Sequence, residues 1–388
     1  MELSKVSAIV SLVFASATAS AATIVVRPGQ SIQAAVDRAN PGDTIAVYPG
    51  RYRERGTPCP THPDRLCAVA ITKDNLRLTG LATPGHPVLL EAAGGQDEGI
   101  SIAKRGATGP ACLTDSSQRI HGARVQGFTV NNFAGDGIAL FCVDNFTIRN
   151  CSANGNGDYG IFPSHSGPGQ VTGCVATGSN DTGIYVGVSH DVRVNHNAAH
   201  GNVSGFEIEN SFRVEMDHNL ATGNTGGILS FTLPGLDIRF NHDNSVHHNT
   251  VLLNNKPNTC APPGDVCLVP VGTGILMLAV QSNQVHDNTV LGNNSFGIAL
   301  SDFCTANQLP RELCNESILG FDPFPNHNRI EENAALGNGL HPDRERIPPE
   351  IPGADLFWTG LGSGNCWADN LSLINVWPLS PQPLPACE

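Results

Sequence analysis

Positive charge, aromatic side chains and long apolar runs are what this chain has least of. Its 22 Lys and Arg face 35 Asp and Glu, a formal net charge of −13. Nucleic acid and anionic membrane surfaces are polyanions that a protein must meet with positive charge, so neither is an expected partner. The same balance means that an acidic polysaccharide needs a locally basic groove or bridging cations. Aromatics are only 6% of the residues, while Gly (42 residues) and Asn are plentiful. That composition suits short stacked strands joined by tight turns and does not suit a helical bundle. Beyond the N-terminal segment no run approaches the ~20 apolar residues of a membrane-spanning helix, so a soluble mature chain is expected. There is no Met-rich stretch and no compact Cys/His motif, and no cofactor is expected.

The N-terminal segment reads as an export signal. Met1-Glu-Leu-Ser-Lys5 is followed by an apolar stretch from Val6 to Ala15 and by Ala19-Ser-Ala21, small residues suited to signal-peptidase cleavage. Residues 1–21 are therefore read as a signal peptide, and the mature protein is placed in the periplasm or outside the cell. No Cys follows the small residues, so a lipid anchor is not expected. Twelve cysteines in an exported chain predict disulfides. Cys59 with Cys67, Cys260 with Cys267, Cys304 with Cys314 and Cys366 with Cys387 each bracket a Pro- or Gly-bearing segment and are the proposed pairs, with connectivity left open. The chain has seven Asn-x-Ser/Thr matches, Asn145 and Asn293 among them. Asparagine-rich turns generate these by chance.

A Gly followed by a large apolar residue recurs at Gly137, Gly160, Gly183, Gly205, Gly227, Gly274 and Gly297, at spacings of 23, 23, 22, 22, 47 and 23. A period near 22 residues with one enlarged unit is the signature of a solenoid. Within a unit the pattern alternates as strands do, for example Ile184-Tyr-Val186 and Val192-Arg-Val194, and a turn such as His200-Gly-Asn202 closes the coil. The expected fold is all-β: a single-stranded right-handed parallel β-helix of about 22–23 residues per coil, with strands stacked at roughly 4.8 Å. One domain covers residues 22–388, with an N-terminal cap and first coil over 22–55 and a C-terminal cap and tail over 356–388. The segment from Ser31 to Asn40 has helical spacing with Ser31 as N-cap, and is read as a short helix closing the open end. The tail from Trp377 is read as the cover of the other end.

Stacking makes residues one period apart neighbours, so internal columns should match chemically. Cys151, Cys174, Asn197 and Asn219 fall in one column, continued by Asn249, Asn288, Asn333 and Asn370, which predicts an asparagine ladder. Cys151 and Cys174 are one coil apart in it and are a further candidate disulfide.

The capping segment followed by Pro-Gly-Asp-Thr-Ile and by Tyr48-Pro-Gly-Arg-Tyr52 resembles the start of pectin-lyase-like β-helix proteins, and the coils resemble carbohydrate-binding and sugar-hydrolase repeats. Tyr159-Gly-Ile-Phe-Pro163, Asp181-Thr-Gly-Ile-Tyr-Val-Gly187, Gly205-Phe-Glu-Ile-Glu-Asn-Ser211 and Gly226-Gly-Ile-Leu-Ser-Phe-Thr-Leu-Pro234 resemble a bacterial subfamily of exported parallel β-helix repeat proteins. The resemblance implies the fold and export, and no particular activity.

Candidate site residues follow from strand alternation. One outward row is Ala139, Phe162, Tyr185, Glu207 and Leu229, and a second is Phe141, Ser164, Gly187, Glu209 and Phe231. Aromatics that stack on sugar rings beside carboxylates that accept from hydroxyls suit a carbohydrate cleft, with Phe162, Ser164 and Phe231 as substrate-binding residues. Glu207 and Glu209 stand about 6.7 Å apart at Cα. That overlaps the ~6.5–9.5 Å carboxyl separation of inverting glycosidases better than the ~5–5.5 Å of retaining ones. Glu209 is the expected acid or base, Glu207 its partner carboxylate, and Tyr185 with His165 the proton-transferring or orienting groups. His165, Tyr185 and Glu207 also suit proton abstraction as in lyases and epimerases. Tyr159-Gly-Ile-Phe-Pro-Ser-His165 resembles the Tyr-Gly-x-Asp-Pro-His-Asp motif of mannuronan C5-epimerases, with Phe162 in place of the first Asp, Ser164 intruding before His165, and Ser166 in place of the second Asp.

An alternative site is the column His196, His218 and His248, followed by Asp287 and Glu332, because stacked imidazoles suit copper or zinc. It accompanies a distant resemblance to the copper-associated maturation factor of nitrous-oxide reductase. Phe357, Trp358, Trp367 and Trp377 are read as packing for the last coil rather than as a sugar platform. The expected function is binding, and cleavage or modification, of a polysaccharide or oligosaccharide. The alternative is a non-catalytic module for another exported protein or a metal ion. The loop 232–244 and the insert carrying Cys260 and Cys267 are expected to border the cleft.

Overall fold

The computed structural model describes residues 21–260, 262, 264–376 and 383–388. The apolar segment read as a signal peptide, and Trp377, lie outside the described residues. Three long sheets of 12, 10 and 12 strands, parallel except where Thr57–Pro58 pairs antiparallel with Leu66–Ile71 at one edge, form the walls of the solenoid, and successive coils add strands to each wall in turn. No helix among the described residues is long and apolar enough to cross a membrane.

The repeating Gly-apolar unit places its apolar residue in one internal column of the third sheet. Ile100, Ile138, Ile161, Ile184, Phe206, Ile228, Ile275, Ile298 and Leu356 stack in register, and all are buried. The column extends beyond the seven legible repeats because a loop carrying the helix Gly109–Thr114 separates Ile100 from Ile138. The 47-residue spacing is one coil enlarged by two outward loops, between the strands Gly226–Phe231 and Ser245–His247 and between Thr250–Leu252 and Thr273–Leu278. The cap is the helix Ile32–Arg38, whose Ala34 N–H donates to Ser31 Oγ at 3.0 Å and whose Ile32, Ala35 and Val36 face the core.

The asparagine ladder runs as expected. Each backbone N–H donates to the side-chain oxygen one coil on: Asn197 to Asn219, Asn219 to Asn249, Asn249 to Asn288, Asn288 to Asn333 and Asn333 to Asn370, at 2.9–3.1 Å. Two further ladders occupy the other corners, one through Asn202, Asn224, Asn254, Asn293 and Asn338, the other through Asn244, Asn283 and Asn328. Burying a turn requires every backbone donor to find an acceptor, and a short internal amide supplies both halves of that bond.

Four proposed disulfides form, and a fifth joins Cys112 to Cys142 across 30 residues. The Cys151–Cys174 pair does not form; both thiols are free and buried. They take the amide's place in the ladder, the Cys151 N–H donating to Cys174 Sγ at 3.4 Å and the Cys174 N–H to Asn197 Oδ1 at 2.8 Å. At the far end Trp358 and Trp367 are buried against each other, and Phe357 is buried as well, which accords with a packing role.

Candidate functional site

The outer face of the third sheet carries the predicted rows, and the backbone register brings them together. Phe162 lies beside Ala139, and Tyr185, Glu207 and Leu229 continue that line; Phe141, Ser164, Gly187, Glu209 and Phe231 form the next. Tyr159, Phe162 and Tyr185 make an aromatic cluster with ring centroids 4.5–5.0 Å apart. The Tyr185 ring leans along its strand over Gly187, where an added Cβ would collide with the phenol, and its hydroxyl donates to Glu209 Oε2. Gly187 is thus the position that lets a tyrosine from one row deliver its hydroxyl into the other, between Ser164 and Glu209.

His165, just past the strand Ile161–Ser164, holds a left-handed backbone (φ 51°). Its Nδ1 lies 2.9 Å from Ser164 Oγ and its Nε2 2.9 Å from Asp237 Oδ2. Asp237 comes from the loop 232–244, so that loop borders the site as its sequence position suggested. The insert carrying Cys260 and Cys267 does so too, since Val266 and Val269 pack with Leu229 and Phe231.

Direction and exposure differ on this face. Glu207 points outward from the coil yet is 1% exposed, with one carboxylate oxygen unpartnered. Burial, then the nearby Asp181, raises its pKa well above the carboxylate range, so its surroundings favour the neutral form and it is buried rather than solvated. Tyr185 and Ser164 are also buried, while Glu209 and His165 stay half-buried. Loss of hydration raises Glu209 to about 7, against the Tyr185 hydrogen bond, which favours its ionised form. Asp181 rises to about 6, chiefly through burial. Burial lowers His165, with Asp237 opposing the shift. The site therefore holds a carboxyl that titrates near neutrality, a phenol bonded to it, and an imidazole held by an acid. These are components of proton transfer at neutral pH.

Two contributors were missed in the sequence. Asp181, like Asp136, stands just ahead of a repeat glycine, a signal that could have been read. Asp237 sits in a loop with no motif around it. Beyond Phe231 the same face becomes an apolar groove of about 140 Å³ lined by Leu276, Leu278, Phe296 and Phe357 and roofed by inserts. The alternative column His196, His218 and His248 occupies left-handed turn positions (φ 54–56°) that precede ladder asparagines. Its rings stack face to face at 5.0 Å. Imidazole lone pairs lie in the ring plane, so a face-to-face stack does not by itself aim three donors at one ion.

The fold is a right-handed parallel β-helix, and residues 105–241 match the family model of the right-handed β-helix region. The A-module of mannuronan C-5 epimerase AlgE4 from Azotobacter vinelandii is similar over 87% of this chain and 91% of that one, with 16% identity and a TM-score of 0.54. The periplasmic alginate epimerase AlgG is similar over 90% and 85%, with 14% identity and a TM-score of 0.51. A tailspike protein mutant of E. coli bacteriophage HK620, in complex with a pentasaccharide, is similar over 85% and 59%, with 11% identity and a TM-score of 0.50. Comparison with curated proteins gives no match.

Proposed function

We propose that this protein is exported, holds a polysaccharide across the outer face of the third sheet, and acts on it by proton transfer through Glu209, Tyr185 and His165. The observation that carries the reading is the Tyr185–Glu209 hydrogen bond, with His165 and its Asp237 partner beginning at the neighbouring row position. Glu209 gives or takes the proton, Tyr185 bridges the gap above Gly187, and His165 is the opposing acid or base. Phe162, Ser164 and Phe231 flank this path as binding residues. Glu207, buried with its charged form disfavoured, acts behind Glu209 as a positioning group. Five disulfides suit an oxidising compartment, and the fold is shared with epimerases of alginate and with a pentasaccharide-bound tailspike.

The test is incubation of the purified protein and of Glu209→Gln and His165→Gln variants with neutral and acidic polysaccharides. Reducing ends report hydrolysis, unsaturated products report a lyase, and a changed sugar composition reports an epimerase. Turnover reduced at least about 100-fold in either variant, with glycan still retained, is the expected outcome. Glycan retention without turnover in the unmodified protein, unchanged in both variants, removes the catalytic assignment. The apolar groove beside the site favours a second reading, a non-catalytic module for an exported protein partner, for which no glycan is retained at all.

A further inference from the structure

A different corner of the solenoid, between the first and second sheets, gathers imidazoles that the proposed function does not use. His247 and His286 end the paired strands Ser245–His247 and Gln284–His286 and lie directly opposite each other. His248 and Asp287 follow them, both in the left-handed conformation (φ 54°) that turns the chain at this corner. From His248, His286 and Asp287 we infer a binding site for one divalent d-block cation of the zinc class, with the His247 ring stacked face to face on His286 as its brace.

The donor atoms converge. His247 Nδ1 and His248 Nδ1 are 2.9 Å apart. Two ring nitrogens at that distance cannot both carry hydrogen, so at least one imidazole presents a lone pair there. His286 Nδ1 lies 2.8 Å from Asp287 Oδ2, and donor atoms of His248, His286 and Asp287 all fall within 4.8 Å of one another. Ligands about 2.0–2.1 Å from a tetrahedral zinc stand roughly 3.4 Å apart, so small side-chain rotations bring these three onto one ion. The far nitrogen of His286 is already held: Nε2 lies 3.3 Å from Ser245 Oγ, and the His247 ring, whose own Nε2 lies 3.3 Å from Glu215 Oε1, stacks on the His286 face at 4.8 Å. A partner on the opposite nitrogen fixes ring orientation and leaves Nδ1 for the metal.

Neighbouring groups narrow the choice. Glu215, Asp217 and His247 also cluster, but Arg193 already pairs with both carboxylates, at 2.9 Å from Asp217 and 3.4 Å from Glu215. The ion therefore belongs on the His248 side of His247. Two imidazoles and one carboxylate, with a position left for water, suit zinc or its d-block neighbours, whereas calcium takes six to eight oxygens. His248 and Asp287 are exposed, so an ion reaches the site from solvent.

The experiment is equilibrium dialysis of the untagged, full-length protein against Zn²⁺, with metal measured by elemental analysis and Ca²⁺ as competitor. The variants are His286→Gln, His248→Asn and the two combined; Asn tolerates the left-handed backbone at 248. His200→Gln, on an exposed residue of the second sheet, is the control, and circular dichroism confirms that each variant is folded. The expected result is one equivalent of Zn²⁺, bound at least 30-fold more weakly in each single variant, lost in the double variant, unchanged in the control and not displaced by Ca²⁺. Absence of saturable binding, or one equivalent retained by the folded double variant, overturns the site. Equal competition by Ca²⁺ overturns the imidazole ligation.

Discussion

The outer face of the third sheet has two halves built on the same backbone register. In the half running from Tyr159 to Glu209, outward positions carry a phenol, carboxyls and an imidazole. In the half running from Leu229 to Phe357, the same columns carry Leu229, Leu276, Ala299 and Phe357, or Phe231, Leu278 and Ser301. Inserts cover the second half, and two of them are closed by the Cys260–Cys267 and Cys304–Cys314 disulfides. Because the coil supplies position in both halves alike, chemistry is decided by single side chains at each step. The apolar half gains stability by burial, whereas the polar half gives up stability to keep carboxyls in a place where water would hold them better.

That contrast can be broken with paired substitutions. Phe296→Ala, in the apolar half, should cost about 3 kcal/mol of unfolding free energy in denaturant titration, since it empties a buried aromatic site. Glu209→Gln should leave stability at pH 8 unchanged or higher, because it removes a charge the fold disfavours. A smaller effect is on pH dependence. Glu209 and Asp181 titrate at about 7 and about 6 in the folded chain, above their values in an unfolded chain of about 4.3 and 3.9. The folded state then holds more protons between these limits, so their contribution is complete below about pH 4 and is lost as pH rises to about 7. Thermal melts should show stability falling across that window. The slope should lessen in Glu209→Gln and persist in Phe296→Ala; a slope unchanged in Glu209→Gln would refute the assignment. The smallest effect concerns Tyr185→Phe. Its loss removes a donor that favours the ionised carboxylate, so the Glu209 titration should move upward by up to about one unit. A pH–rate profile, or carboxyl titration by NMR, measures the shift, and a downward movement would contradict the observed hydrogen bond.

Much of the fold was legible because stacking imposes one demand per coil. The repeating Gly-apolar pairs, the Asn column and the Ser31-capped helix each reflect such a demand, and all three reappear in place. The thiols at 151 and 174 have the spacing of a disulfide as well as that of a ladder, and spacing alone does not separate the two. The Cys112–Cys142 pair spans a loop, where periodicity carries no information. At the site, alternation gave the direction of Tyr185, Glu207 and Glu209 correctly. It did not give their exposure, which depends on loops laid over the strands, nor the reach of Asp237 to His165.

The Cys366–Cys387 bond acquires a further meaning from the shape of the molecule. A solenoid ends in a strand with one unpaired edge, and identical coils on another copy are the template most able to pair with it. Here Ala386 bridges to Trp367 and Leu384 packs against the core, so residues 383–388 lie along the last coil and the disulfide tethers them there. The bond therefore acts as a clasp: it holds the chain end over an edge whose backbone groups would otherwise be left open, as the Ser31-capped helix covers the opposite end.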